Sequence, residues 1–197
     1  AGVLGQCSSL TKLDLGRNDV GASGARSLGG LLGQCSSLAG LYLGENRIGA
    51  AGVRSLAWVL GQCFSLAELD LQCNRVGDEG AESVASALGQ CPSLAVLDLA
   101  RNGIGSAGAK SLALVLGQCT ALKRLSLQGN RIDNDGISML RAFWPGHAGL
   151  CIGDECSQSE EGGSGSESEE SGGESEEYES WSESEEDESG QESAEDP

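Results

Sequence analysis

The 197-residue sequence has a single histidine and lacks the short motifs that announce chemistry. It holds no Gly-x-Ser-x-Gly, no Gly-x-x-x-x-Gly-Lys-Ser or Gly-x-x-x-x-Gly-Lys-Thr phosphate-cradling loop, and no His-Glu-x-x-His. Serine hydrolysis of that type, P-loop nucleotide binding and zincin chemistry are therefore not signalled. No apolar run approaches the roughly 20 residues of a membrane helix, and no charged-then-apolar segment with a cleavage site opens the chain. The expectation is a soluble, unsecreted protein, cytoplasmic with the nucleus as a second location, and without membrane contact. Bases are also missing from one stretch. Residues 154–197 hold 19 of the 30 acids and neither Lys nor Arg, whereas residues 1–153 carry 12 bases against 11 acids. The first region is net +1 and the second −19, so the overall −18 says nothing about the part that folds.

Repetition is what the sequence has in abundance. Leu-Gly-Gln-Cys recurs at 4–7, 32–35, 60–63, 88–91 and 116–119, always 28 positions on. Each copy is followed by Leu-x-x-Leu-x-Leu-x-x-Asn: Leu10, Leu13, Leu15 and Asn18 in the first, then Leu38, Leu41, Leu43 and Asn46. The third runs Leu66, Leu69, Leu71, Asn74, the fourth Leu94, Leu97, Leu99, Asn102, and the fifth Leu122, Leu125, Leu127, Asn130. The period-2 leucines predict a short strand with one buried face, and the asparagine can bond backbone groups where the chain turns away. Residues 24–32, 52–60 and 80–88 place apolar side chains at helical spacing, such as Leu28 with Leu32 and Val84 with Leu88. Their Gly and Ser content makes these helices weak alone, so neighbours must hold them. One strand and one helix per repeat predicts a curved α/β solenoid.

The pattern and its 28-residue length resemble the ribonuclease-inhibitor type of leucine-rich repeat, found also in NOD-like receptors and Ran GTPase-activating proteins. The resemblance covers residues 1 to about 152. It implies a horseshoe with a concave parallel sheet, convex helices, and ligands held on the concave face or rim. A fold of this kind does not assign an activity by itself. The domains expected are residues 1–153, five repeats and a truncated sixth as C-terminal cap, and residues 154–197, a disordered acidic tail. Counting on by 28 puts Trp144 at the Leu116 position, His147 at that of Cys119, Leu150 at that of Leu122 and Gly153 at that of Leu125. Bulky Phe143 and Trp144, helix-ending Pro145 and the stub 150–152 read as the cap. At the other end the chain opens inside a repeat, which predicts that it is the C-terminal part of a longer protein.

Five of the eight cysteines, Cys7, Cys35, Cys63, Cys91 and Cys119, share one repeat position and read as reduced, buried packing residues. Cys73 lies on the strand side. His147, Cys151 and Cys156 are metal-capable but irregularly spaced and too few for a structural zinc site, so neither metal nor cofactor is expected. Asp70 and Asp98 are the nearest thing to a carboxylate pair, but exposed carboxylates in a mixed-charge row are ordinarily just solvated, and no catalytic residue is assigned.

Strand alternation places Lys12 and Asp14, Gly40 and Tyr42, Glu68 and Asp70, Val96 and Asp98, and Arg124 and Ser126 away from the core. Arg17, Glu45, Cys73, Arg101 and Gly129 follow at the strand ends. This row carries both charge signs and one aromatic, which suits a charge-complementary protein partner with Tyr42 as anchor, while solubility alone also accounts for alternating charge. It lacks the continuous basic stripe and stacking aromatics of a nucleic-acid groove. In the tail, Ser164, Ser166, Ser171, Ser180, Ser182, Ser184 and Ser189 each have an acid three residues on, resembling acidophilic kinase sites. With Tyr178 and Trp181 the tail also suits a basic partner. The reading is a monomeric, non-catalytic module that binds protein partners through its concave face and acidic tail. Two alternatives remain open. Repeats followed by an acidic tail resemble the layout of Ran GTPase-activating proteins, which implies a small GTPase as partner. The chain also resembles the C-terminal repeat array of a NOD-like receptor, though the acidic tail speaks against that.

Overall fold

The computed structural model describes residues 9–144 and 149–153. The expected tail, together with Cys7, Pro145, His147 and Cys156, lies outside them. Five strand–helix units follow one another: β1 (Lys12–Asp14), α1 (Gly21–Leu32), β2 (Gly40–Tyr42), α2 (Gly49–Leu60), β3 (Glu68–Asp70), α3 (Gly77–Leu88), β4 (Val96–Asp98), α4 (Ser106–Leu116), β5 (Arg124–Ser126), α5 (Asn134–Phe143) and a last strand β6 (Leu150–Cys151). The strands form one parallel sheet in sequence order, and each pair from β1 to β5 matches residues 28 apart. Each helix packs on its sequence neighbours. Strands pair about 4.8 Å apart whereas helices pack about 8–10 Å apart, so the stack bends with its sheet on the inner side.

The repeated leucines make the core. Leu38, Leu41, Leu43, Leu66, Leu71, Leu97, Leu99 and Leu125 are fully buried between sheet and helices. Cys35, Cys63 and Cys91 stack in the same core, and burial pushes the thiols of Cys63, Cys91 and Cys119 up, that of Cys91 to about 11. The Cys91 thiol donates to the Leu60 carbonyl at 3.3 Å, as Cys63 does to that of Leu32 at 3.7 Å.

The asparagines form a second column. The Asn74 carboxamide oxygen accepts from the backbone N–H of Asn46 at 3.1 Å and of Ile48 at 3.2 Å, both in the preceding repeat. Its amide nitrogen donates to the carbonyls of Leu43, Leu71 and Gln72. Asn46 repeats this arrangement, Asn102 does so with two carbonyls instead of three, all three are buried, and no buried side-chain polar atom among the described residues lacks a partner. Five short strands could not otherwise satisfy the backbone at their turns.

Two local expectations are corrected. The helices of the first three units begin at Gly21, Gly49 and Gly77 rather than three residues later, because each glycine has φ near +60° and so bends the chain straight from the asparagine turn into the helix. The cap is also out of the expected register. Leu150, not Gly153, lies opposite Leu125, with Cys151 opposite Ser126. The last unit is thus three residues shorter than 28, which puts an apolar side chain rather than a glycine in the sixth strand's core position. Trp144 packs against the core as expected of a cap residue, while Phe143 is 45% exposed.

Candidate protein-binding face

The outward side chains of the sheet divide into those already satisfied by neighbours and those that are not. At the N-terminal end the parallel register sets Gly40 between Lys12 and Glu68. A Cβ at Gly40 would lie 3.0 Å from Tyr42 Oη and 3.1 Å from its Cε2, so the tyrosine ring lies back along its own strand over the glycine. There its hydroxyl donates to Glu68 Oε2 and its ring sits 6.0 Å from Lys12 Nζ. The hydrogen bond to Glu68, with desolvation behind it, holds the Tyr42 phenol above its ordinary value. Beside this group Arg17 Nε meets Glu45 Oε1 at 3.0 Å. Tyr42 is therefore half-buried and engaged, not an upright anchor.

Asp70 and Asp98 lie in register across β3 and β4. Each accepts a backbone N–H two residues on, Gln72 and Ala100, both at 2.8 Å, and Asp14 does the same with Gly16 at 2.9 Å. These aspartates thus close the turn that leaves each strand. Burial nevertheless outweighs the hydrogen bond and raises both the Asp70 and Asp98 carboxyls, with the charges of Asp98, Asp14 and Glu45 adding to the rise at Asp70. No base forms an ion pair with either among the described residues. Arg101 and Arg124 are exposed and likewise take no carboxylate. Arg101 reaches across Gly129, whose added Cβ would meet Arg101 Cγ at 2.8 Å. Val96 and Ser126 are half-buried beside them.

The residues at the strand exits share an unusual backbone. Arg17, Glu45, Cys73 and Arg101 have φ between 53° and 59°, and Gly129 takes their place in the fifth unit with φ 65°. Holding a side chain in this region costs of order 1 kcal/mol or more, yet four of five units keep one there. A shallow depression of about 260 Å³ lies between Asp14, Arg17, Tyr42, Glu45, Asp70 and Gln72, floored by Gly16 and Gly44.

The outer surface holds features that the period-2 reading of the strands missed. Trp58 is 74% exposed on α2 and lines a groove of about 840 Å³ between α2 and α3. Its repeat position carries Gly30, Ser86, Leu114 and Ala142 elsewhere, so a solvent-facing row without any charge was legible in the sequence.

The leucine-rich-repeat family model matches residues 6–29, 62–85, 90–113 and 118–140. Comparison with curated proteins finds no significant match. Among solved structures, leiomodin-1 actin-binding site 2 aligns with a TM-score of 0.56 at 17% identity, covering 68% of this chain and 80% of that one. The tropomodulin C-terminal domain of Caenorhabditis elegans aligns with a TM-score of 0.59 at 14% identity, covering 70% and 83%. The matched stretches, the 28-residue strand–helix units and these two neighbours agree that the described residues form a leucine-rich-repeat solenoid.

Proposed function

We propose that the chain is a non-catalytic protein-binding module whose inner sheet face takes a partner on Asp70, Asp98, Arg101 and Arg124. One observation carries this reading: in a row where Lys12, Tyr42, Glu68, Arg17 and Glu45 are already engaged with one another, these four charges on neighbouring repeats, like Asp14 on β1, take no counter-ion among the described residues. The two aspartates are held in a setting that penalises their ionised form, and a partner's Lys or Arg placed across them would relieve that penalty. A carboxylate on the partner would complete Arg101 or Arg124. Because Asp70, Asp98 and Arg124 stand on strands and Arg101 on the turn that leaves β4, little backbone ordering opposes binding. The engaged group around Tyr42 would then form one edge of the contact, and the tail an independent attraction for basic segments.

Two partner classes are worth direct trial. Leiomodin-1, one of the structural neighbours, is described by its actin-binding site, which makes monomeric actin the first. The resemblance of the repeats and tail to Ran GTPase-activating proteins makes Ran the second, with GTP hydrolysis as the readout. Titration calorimetry of each against the full chain and against Asp70→Asn with Arg124→Glu tests the face. Binding to either that the paired substitution weakens more than about tenfold supports the reading. Binding that ignores the paired substitution removes the sheet face from it, and acceleration of GTP hydrolysis by the chain alone would replace the non-catalytic assignment.

A further inference from the structure

We propose that a second copy of this chain docks on the α2–α3 face, the two copies being related by a two-fold axis that runs parallel to these helices and lies above the groove between them. This rests on the outer surface and is independent of the partner assigned to the sheet. Such an axis sets α2 of one copy over α3 of the other. Because the helices are one repeat apart, it places every residue of α2 opposite the residue 28 positions later.

The pairs generated in this way are complementary tier by tier. Arg54, whose Nη2 also meets Glu79 Oε2 of its own chain at 3.3 Å, faces Glu82, a cation on an anion that makes no ion pair among the described residues. Trp58, 74% exposed, faces the small Ser86, whose neighbour Ala87 lines the same groove, so the indole of each copy fills the notch of the other. Gln62 faces Gln90, two carboxamides able to exchange hydrogen bonds. Phe64, 68% exposed, faces Pro92. A two-fold interface repeats each of these twice. One helix further out the same axis sets Arg26 against Lys110, a like-charge pair. The bend of the solenoid carries those helices apart, which confines the contact to two helices per copy. Contacts of that extent fall near about 1,000 Å² in total, the range of weak and reversible association. The net charge of −18 also opposes it, so salt near 0.15 M, where the Debye length is about 8 Å, is the fitting condition.

Sedimentation equilibrium of the full chain from about 5 to about 500 μM tests the proposal. We expect a reversible monomer–dimer equilibrium, weakened about tenfold or more by Arg54→Glu and equally by Glu82→Arg, and restored to within about threefold when both are combined. Trp58→Ser should abolish the dimer. All three positions are exposed, so far-ultraviolet circular dichroism should report an unchanged fold in every variant. A chain that stays monomeric at the highest concentration overturns the proposal. So does a dimer indifferent to Trp58→Ser, or one that the double charge reversal weakens further instead of restoring.

Discussion

Replacing Asn74 by Ala should be among the most damaging single changes available to this fold, and the hydrogen bonds of the column give its size. Asn74 is fully buried and makes five bonds to backbone groups. The three carbonyls to which it donates each retain another donor. Leu43 keeps Asn46 Nδ2, Leu71 keeps Asn102 Nδ2, and Gln72 keeps the N–H of Glu45. The two donors it satisfies have no such reserve, since the N–H groups of Asn46 and Ile48 make no other hydrogen bond. Each orphaned buried donor costs about 1–3 kcal/mol, so the pair loses roughly 2–6 kcal/mol, with a smaller addition for the space vacated. Asn18 supplies an internal control. It is exposed and donates only to the Gly16 carbonyl at 2.8 Å, so its replacement by Ala should cost no more than about 1 kcal/mol. Urea denaturation followed by circular dichroism, with the slope checked for constancy, measures both. If the two substitutions lower stability equally, or Asn74→Ala costs under about 1 kcal/mol, the column is not what satisfies the turns and the argument fails.

Other consequences follow from the same geometry. Asp70→Asn keeps an acceptor for Gln72 and removes a charge that the fold penalises. A carboxyl raised in the fold costs stability once ionised, so the variant should be more stable than the parent at pH 7. That advantage should shrink as pH falls toward the ordinary 3.8; chemical denaturation at pH 7 and pH 4.5 checks this, and a destabilised variant at pH 7 contradicts it. The Cys91 thiol titrates near 11 in the fold, above its ordinary 9.0, so its contribution is intact below pH 9 and is lost as pH rises toward 11. The loss due to Cys91 should be about 2 kcal/mol, so Cys91→Ala should lose less stability than the parent over this range, with Cys63 and Cys119 supplying the remainder, and native labelling at pH 8 should modify half-exposed Cys73 well before Cys91. Gly52→Ala would set a Cβ 2.5 Å from Ile48 Cγ2 and 3.1 Å from Ala25 Cβ, and should destabilise by about 1–3 kcal/mol despite the helix-propensity gain. Gly30→Ala meets nothing within 4 Å and should instead stabilise by up to about 1 kcal/mol, both read as shifts in thermal midpoint.

How much of this was legible in the sequence depends on how far apart the deciding residues lie. The strand leucines, the asparagine column, the buried cysteines and the parallel order follow from local periods of 2 and 28 residues. A repeat that cannot bury its own apolar face must stack on its copies, and translation by one repeat then fixes every register from β1 to β5. Tertiary structure alone decided what translation does not carry. The sixth strand slipped by three residues because its loop is shorter and Leu150, unlike Gly153, can fill the core position opposite Leu125. Tyr42 lay down over Gly40 because Lys12 and Glu68 stand on either side of that glycine, a relation visible only once three strands are side by side. The alternation of the strands set ten residues on the face away from the core leucines, but which of them are spent on one another depends on side-chain reach across strands. A repeat sets where a Cβ points, and only the packed neighbours determine what its charge meets.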